Sequence, residues 1–245
     1  MNYGMGKWMT ILAGWLAAVA PPADAAREER VVLVHGLGRT SRSMNGLRKR
    51  LEREGYRVDN LGYPSRRKTI AGLTDWMRDR VFSEMGRTPE VSFHFVTHSL
   101  GGVLLRACFA ETRPANLGRV VMLGPPNRGT ELTDRLGRFR LYRWVTGPAG
   151  LELGTGPESL PNRLGAVPFE TGVIAGNRSL NPLYSSLIAG PDDGKVSVAR
   201  AQVEGLKDFL VVPYSHTFLM NRDVVRKEVV QFLKHGCFSK DGLGP

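Results

Sequence analysis

The sequence predicts an α/β protein with a mostly parallel central sheet and helices on both faces. Short apolar runs, such as residues 31–34 and 120–123, have the length and composition of buried strands. Segments with apolar residues at helical spacing alternate with these runs, and this alternation is typical of a parallel sheet. A chain of 245 residues that is 42% hydrophobic fits one large domain and argues against disorder.

The first elements follow from local signals. Residues 31–34 predict a buried strand, and Ser41 or Ser43 is expected to cap the helix after it. Gly55 is expected to end that helix, because glycine readily adopts the left-handed conformation of a helix terminus. Residues 56–60 then predict a short second strand.

The central elements lead to the most informative turn of the chain. Thr69 is expected to cap the second helix, and the strand that contains Phe93 and Phe95 follows it. The next helix begins at the end of that strand, and residues 120–123 predict another strand.

The later part of the chain gives weaker signals. Residues 130–172 are rich in glycine and proline and predict either a cap over a site or a plain surface excursion. Residues 173–175 and 209–212 resume the strand pattern, and residues 224–233 predict a closing helix.

Ser99 is the candidate nucleophile. It follows the strand in residues 91–98, lies close to the small residues Thr97, Gly101 and Gly102, and precedes an apolar helical stretch. This layout is typical of a sharp strand-to-helix turn that presents a hydroxyl group. A serine needs a neighbouring base, and the base needs an orienting carboxylate.

Both partners occur downstream in turn-rich segments. Asp192 and Asp193 lie in residues 190–196, and His216 directly follows the strand in residues 209–212. Either aspartate is a candidate carboxylate. The order serine, aspartate, histidine, each after a strand, is expected of a hydrolase built on a parallel sheet.

With these residues in place, the chain resembles an α/β-hydrolase of the bacterial esterase/lipase type from about residue 30 to residue 233. Four motifs carry the resemblance: His35-Gly36-Leu37-Gly38, Thr97-His98-Ser99-Leu100-Gly101, Asp193-Gly194-Lys195-Val196 and Ser215-His216. The resemblance implies the α/β-hydrolase fold, with a small irregular cap-like insertion.

The resemblance also implies roles for these residues. Ser99 would be the nucleophile, His216 the general base and then acid, and Asp193 the orienting carboxylate, favoured over Asp192 by the Asp-Gly-x-Val pattern. The backbone N–H groups of Leu37 and Leu100 would form the oxyanion hole.

Three further residues would support this site, and a fourth residue, Thr97, departs from the usual motif. His35 and Gly36 would shape the oxyanion loop, and Gly101 would leave room for close helix packing. Thr97 stands where the G-x-S-x-G motif has its first glycine. A β-branched threonine also suits the last residues of a strand.

The other histidines are expected to have no catalytic role. His98 is expected to pack or bond locally, His94 to lie within the sheet, and His235 to lie on the surface. No clustered His, Cys or Asp spacing suggests a metal site. We therefore expect neither a metal nor a cofactor.

The N-terminus predicts export. Lys7 precedes an apolar stretch at residues 8–20, and Ala23-Asp24-Ala25 resembles a cleavage site. The stretch is shorter than the roughly 20 residues that span a bilayer. We predict a cleaved signal peptide in residues 1–25, with an uncleaved anchor as the alternative, and one hydrolase domain in residues 26–245. The protein would then be periplasmic or secreted.

The net charge of +11 predicts a basic surface. Its basic residues are scattered, so no nucleic-acid motif is recognised and no nucleic-acid partner is expected. Attraction to an anionic membrane surface is the next interpretation. Two cysteines, Cys108 and Cys237, are too few for a disulfide framework, and the resemblance implies that the sheet separates them.

The predicted function is hydrolysis of carboxylic esters, including lipid esters, through an acyl-enzyme intermediate. One alternative is acyl transfer or thioester hydrolysis at the same residues. Another is an inactive hydrolase fold that binds a membrane or a protein.

Overall fold

Six parallel strands form the sheet of the computed structural model, which describes Met1 and residues 28–239. Apart from Met1, the predicted signal peptide lies outside the described residues. The strand order is β2-β1-β3-β4-β5-β6. The strands are β1 (Glu29–Val34), β2 (Arg57–Leu61), β3 (Ser92–His98), β4 (Leu117–Leu123), β5 (Thr171–Gly176) and β6 (Asp208–Val212).

Helices cover both faces of this sheet, which confirms the predicted fold class. They are α1 (Asn45–Arg53), α2 (Ile70–Met77), α3 (Ser83–Arg87), α4 (Leu100–Phe109), α5 (Glu131–Leu136), α6 (Arg140–Leu151), α7 (Leu160–Arg163), α8 (Pro182–Ser185), α9 (Val198–Ala201) and α10 (Asp223–His235). A π-helical turn, Arg78–Phe82, joins α2 to α3, and 3-10 turns occupy Ser41–Met44 and His216–Asn221.

Two apolar cores lie on opposite sides of the sheet. One contains the inner faces of α2 and α4, and the other contains those of α1 and α10. The central strands β1 and β3 contribute side chains to both cores, since alternate residues point to opposite faces. This double burial explains why β1 reads as a continuous apolar run over residues 31–34.

The predicted N-terminal cap of α2 is confirmed, whereas the predicted cap of α1 is wrong. The Thr69 side chain accepts a hydrogen bond from the Gly72 N–H group and caps α2, as predicted. Neither Ser41 nor Ser43 caps α1, because both lie inside the 3-10 turn that precedes it. Ser43 instead donates its hydroxyl hydrogen to the Thr40 carbonyl.

The glycine-rich residues 130–172 form helices and are not an irregular surface loop. It contains α5, α6 and α7 between β4 and β5. Helix α6 breaks at Gly147, which has a φ of 66° and a ψ of −174°. A side chain at this glycine would collide with the Arg66 carbonyl, so the break needs glycine on both counts.

The two cysteines lie on opposite sides of the sheet, as the resemblance implied. Cys108 is buried in the core beneath α2 and α4, whereas the exposed Cys237 follows α10. Both are free thiols. Within the described part of the chain, no helix is both long and apolar enough to cross a bilayer.

Candidate active site

The Ser99 backbone adopts a strained conformation at the junction of β3 and α4. Its φ is 54° and its ψ is −124°, and among the described residues it is the one non-glycine residue with positive φ. Such strain persists only where the surrounding structure enforces it. Gly101 is part of that enforcement, because a Cβ there would lie 2.7 Å from the Val34 carbonyl oxygen.

A chain of hydrogen bonds joins three of the predicted site residues. The Ser99 Oγ atom lies 2.9 Å from His216 Nε2, and His216 Nδ1 lies 2.7 Å from Asp193 Oδ2. The His216 and Asp193 side chains are only 4% and 1% exposed, so little water competes for their hydrogen bond. The three residues follow β3, β5 and β6, whose carboxyl ends meet at one edge of the sheet.

Asp193 is held in place by its own loop. Its Oδ1 atom accepts hydrogen bonds from the N–H groups of Lys195, at 3.0 Å, and Val196, at 2.9 Å. Asp192 faces elsewhere and accepts from the Ser185 hydroxyl and the Gly194 N–H group. The structure therefore brings Asp193, and not Asp192, to His216.

The predicted oxyanion donors flank Ser99. Leu100 is the first residue of α4, where the N–H groups have no partner within the helix. Leu37 lines the same cavity as Ser99. Between residues 28 and 239, neither N–H group donates a hydrogen bond. A Cβ at Gly36 would lie 3.0 Å from the Ser99 Cβ, so the loop passes against the serine because it has glycine there.

His35 fixes this loop from below. Its ring stacks on Tyr63 at 4.2 Å between centroids, and the Tyr63 hydroxyl donates to the His35 carbonyl at 2.6 Å. Its Nδ1–H group donates to the Gly36 carbonyl at 2.9 Å. Burial lowers the pKa of His35, which keeps the ring neutral. These contacts agree with the predicted shaping role.

His98 contacts His216 and not its sequence neighbours, which corrects the expectation of a local bond. Its Nε2–H group donates to the His216 carbonyl at 3.0 Å, and the two rings lie 4.8 Å apart. Burial, followed by the neighbouring His216, holds the pKa of His98 well below its usual value. A neutral His98 thus anchors the backbone of the histidine that contacts Ser99. No sequence signal indicates this bond, because 118 positions separate the partners.

Thr97 fits the first position of the turn because the helix opposite has a glycine. A Cβ at Gly102 would lie 3.3 Å from the Thr97 Oγ1 atom and 3.0 Å from the Pro125 Cβ. Gly102, on the helix, therefore provides the space that the usual motif obtains from a glycine on the strand. The Thr97 side chain is fully buried, and its hydroxyl has no hydrogen-bond partner among the described residues.

A cavity of about 560 Å³ opens above Ser99 and His216. Its walls are mainly apolar and come largely from α5, α6 and the turn between them, through Leu132, Leu136, Phe139, Leu141, Tyr142 and Val145. Three cations, Arg39, Arg66 and Lys195, also line it, and no carboxylate is found among its described lining residues. The cavity is suited to an apolar ligand, with positive charge near Ser99 and His216.

The remaining histidines lie away from this cavity. His94 accepts a hydrogen bond from the Arg119 N–H group at 2.8 Å and donates to Glu29 at 3.2 Å, within the sheet as expected. His235 is exposed, also as expected. Over the described ranges, no three His, Cys, Asp or Glu side chains are grouped closely enough to hold a metal ion.

The fold and this site define a hydrolase built on a parallel sheet, and sequence comparison identifies its family. Residues 31–227 match the model of the alpha/beta hydrolase family, so the chain belongs to that family. No curated protein matches the sequence.

Solved structures of lipases and esterases share the fold. The mature form of Bacillus licheniformis lipase BlEst2 is 18% identical, with a TM-score of 0.66 over 85% of this chain and 93% of that one. Phospholipase PlaB from Legionella pneumophila is 19% identical, with a TM-score of 0.62 over 85% of this chain and 57% of that one. Paleococcus ferrophilus monoacylglycerol lipase is 18% identical, with a TM-score of 0.56 over 84% and 94%.

Proposed function

We propose that the protein is an exported serine hydrolase that cleaves carboxylic esters through an acyl-enzyme intermediate. The observation that carries this proposal is the hydrogen-bond chain from Ser99 through His216 to Asp193, at 2.9 and 2.7 Å. Lipases and esterases among the solved structures of this fold add support.

The first half of the reaction forms the acyl-enzyme. Ser99 Oγ attacks the ester carbonyl carbon while His216 Nε2 takes the hydroxyl proton. Asp193 accepts the Nδ1–H hydrogen bond and stabilises the imidazolium that results. The carbonyl oxygen becomes an oxyanion, which the N–H groups of Leu37 and Leu100 stabilise. Loss of one such donor typically lowers turnover by about 10²–10³-fold.

Collapse of the tetrahedral intermediate completes the acyl-enzyme, and attack by water then regenerates the free enzyme. The imidazolium of His216 protonates the leaving alcohol as the tetrahedral intermediate collapses and leaves the acyl group on Ser99. His216 then takes a proton from water, which attacks the acyl carbonyl, and returns that proton to Ser99 Oγ as the acid departs. The apolar walls of the cavity favour an acyl chain over a polar substituent.

Replacement of the nucleophile is the direct test. We expect Ser99→Ala to lower kcat/KM for p-nitrophenyl acyl esters by at least about a thousandfold, because the residual site has no nucleophile. Ser83→Ala changes an exposed serine on α3 and is expected to retain full activity. A fluorophosphonate should label the wild type at Ser99, located by mass spectrometry. Equal turnover by Ser99→Ala and the wild type would refute the proposed mechanism.

Export has its own test. The apolar stretch in residues 8–20 and the Ala23-Asp24-Ala25 site are its support. We expect the protein purified from its native cell envelope or medium to begin after Ala25, as measured by N-terminal sequencing. An intact Met1 would contradict cleavage.

A further inference from the structure

The outer surface of α6 is unusually apolar for a helix on the outside of a protein. Tyr142 and Thr146 face inward, where the Tyr142 hydroxyl lies 3.3 Å from that of Thr133 and Thr146 is buried. The opposite side carries Leu141 and Trp144, each 72% exposed, and Val145, 47% exposed. A surface helix normally places its polar residues on this side.

Arginines alternate with these apolar side chains. Residues 138–145 read Arg-Phe-Arg-Leu-Tyr-Arg-Trp-Val, and Arg138, Arg140 and Arg143 are all exposed. In the described part of the chain, none of the three forms a salt bridge with a carboxylate. The Arg66 guanidinium group also lies over the Trp144 ring, at 5.7 Å. We call residues 138–145 the cap surface.

The cap surface is continuous with the cavity above Ser99. Phe139, Leu141 and Val145 line the cavity and are also 48%, 72% and 47% exposed. The apolar wall of the cavity therefore extends to the outside of the molecule. Leu183 of α8 is 71% exposed, and its neighbour Tyr184 lines the same cavity.

We propose that the cap surface docks on an anionic phospholipid bilayer, with the cavity opening toward the lipid. Exposed Trp, Phe and Leu side chains beside arginines are typical of segments that lie in the membrane interface. The apolar side chains enter the headgroup boundary, and the arginines contact anionic headgroups. A second copy of the chain is a poorer occupant, because symmetric pairing would bring like-charged arginines together.

Docking extends the proposed function without depending on catalysis. Ester hydrolysis requires Ser99, whereas docking requires the cap surface. Binding is therefore measured on full-length Ser99→Ala, which cannot turn over the vesicle lipids by the proposed route. The probes are sedimented vesicles of phosphatidylcholine alone or mixed with phosphatidylglycerol. Failure of docking and failure of hydrolysis are thus separate results.

Charge reversal tests the electrostatic part. We expect the parent Ser99→Ala protein to bind vesicles that contain phosphatidylglycerol, and Arg140→Glu/Arg143→Glu in that background to bind at least about tenfold more weakly. The matched control is Lys49→Glu/Arg53→Glu, which reverses two exposed charges on α1 and changes net charge equally. An equal loss in the control would overturn docking through the cap surface, and so would the absence of binding by the parent protein.

Removal of the aromatic anchor tests the apolar part. Trp144→Ser should lower binding to both vesicle types by severalfold, since interfacial insertion of indole does not need anionic lipid. In the Ser99-containing enzyme, Trp144→Ser is expected to retain turnover of a soluble short-chain ester, because Trp144 does not line the cavity. Unchanged vesicle binding would contradict the proposal. So would concentration-dependent dimerisation that Arg140→Glu/Arg143→Glu abolishes, because the surface would then bind a second copy.

Discussion

At the scale of single residues, the hydroxyl of Thr97 is a buried polar group that does not stabilise the fold. It has no hydrogen-bond partner among the described residues, yet it is fully buried one position before His98. Burial of an unpaired hydroxyl costs about 1–3 kcal/mol. Threonine fits this position because its β-branched side chain is favourable in a strand.

We therefore expect Thr97→Val to raise the free energy of unfolding by about 1 kcal/mol, because valine keeps the shape and removes the unpaired hydroxyl. Urea unfolding measures the change. Thr74→Val is the matched control: its buried hydroxyl donates to the Ile70 carbonyl at 2.9 Å, so this variant should be less stable or unchanged. Destabilisation by Thr97→Val would show that the hydroxyl is paired.

The sequence predicts some contacts of the site and not others. Ser99, Asp193 and His216 each follow a strand, and parallel strands bring their carboxyl ends to one edge, so the pattern alone suggested their meeting. The bond from His98 to the His216 carbonyl has no such signature. It depends on the path of the backbone after β6, which tertiary packing sets.

At the scale of elements, Arg106 attaches α4 to the loop after β4 and to the segment around α7. Its guanidinium group donates to the carbonyl oxygens of Asn127, at 2.7 Å, Pro161, at 3.1 Å, and Gly165, at 2.7 Å. The side chain is buried, and burial lowers its pKa to about 10. The arginine thus holds the helix that begins beside Ser99 to the segment around α7.

We expect Arg106→Met to lower the free energy of unfolding by about 3 kcal/mol, because three carbonyl groups lose their buried donor. Thermal or urea unfolding checks this value. Arg42→Met, at an exposed position in the 3-10 turn, should change stability by less than about 0.5 kcal/mol. Equal stability of the two variants would mean that water replaces the guanidinium without cost.

The helices between β4 and β5 could not be predicted from the sequence. Helices α5 and α7 are short, and Gly147-Pro148 interrupts the period of α6, so no window of sequence carries a clear helical repeat. Long elements such as α10 bury enough of one face to show the period plainly.

At the scale of the whole molecule, buried neutral histidines tie stability to pH. Burial lowers the pKa of His35, His94 and His98 below 6.5. Below that pH the unfolded chain binds protons that the native protein does not, so the free energy of unfolding falls as pH falls. Each such histidine contributes up to about 1.4 kcal/mol per pH unit until its native pKa is reached.

We therefore expect urea unfolding to show a clear loss of stability between about pH 7 and about pH 5.5, above the range where ordinary carboxylates titrate. His98→Gln should reduce the slope of stability against pH. A slope identical to that of the wild type would mean that folding does not lower the pKa of His98.

The segment over the cavity is linked to α4 through Arg106, and not through the hydrogen-bonded residues beneath the cavity. Throughout residues 28–239, no hydrogen bond joins α5, α6 or α7 to the side chains of Ser99, Asp193 or His216. Those three residues are fixed by the ends of the strands and by Gly36, Gly101 and His98. An exchange of the β4–β5 segment for that of another family member would then change the walls of the cavity and leave the hydrogen-bond chain from Ser99 to Asp193 intact, provided that the carbonyl groups bound by Arg106 are kept. The β4–β5 segment is therefore the part of the molecule to vary in directed evolution of the cavity.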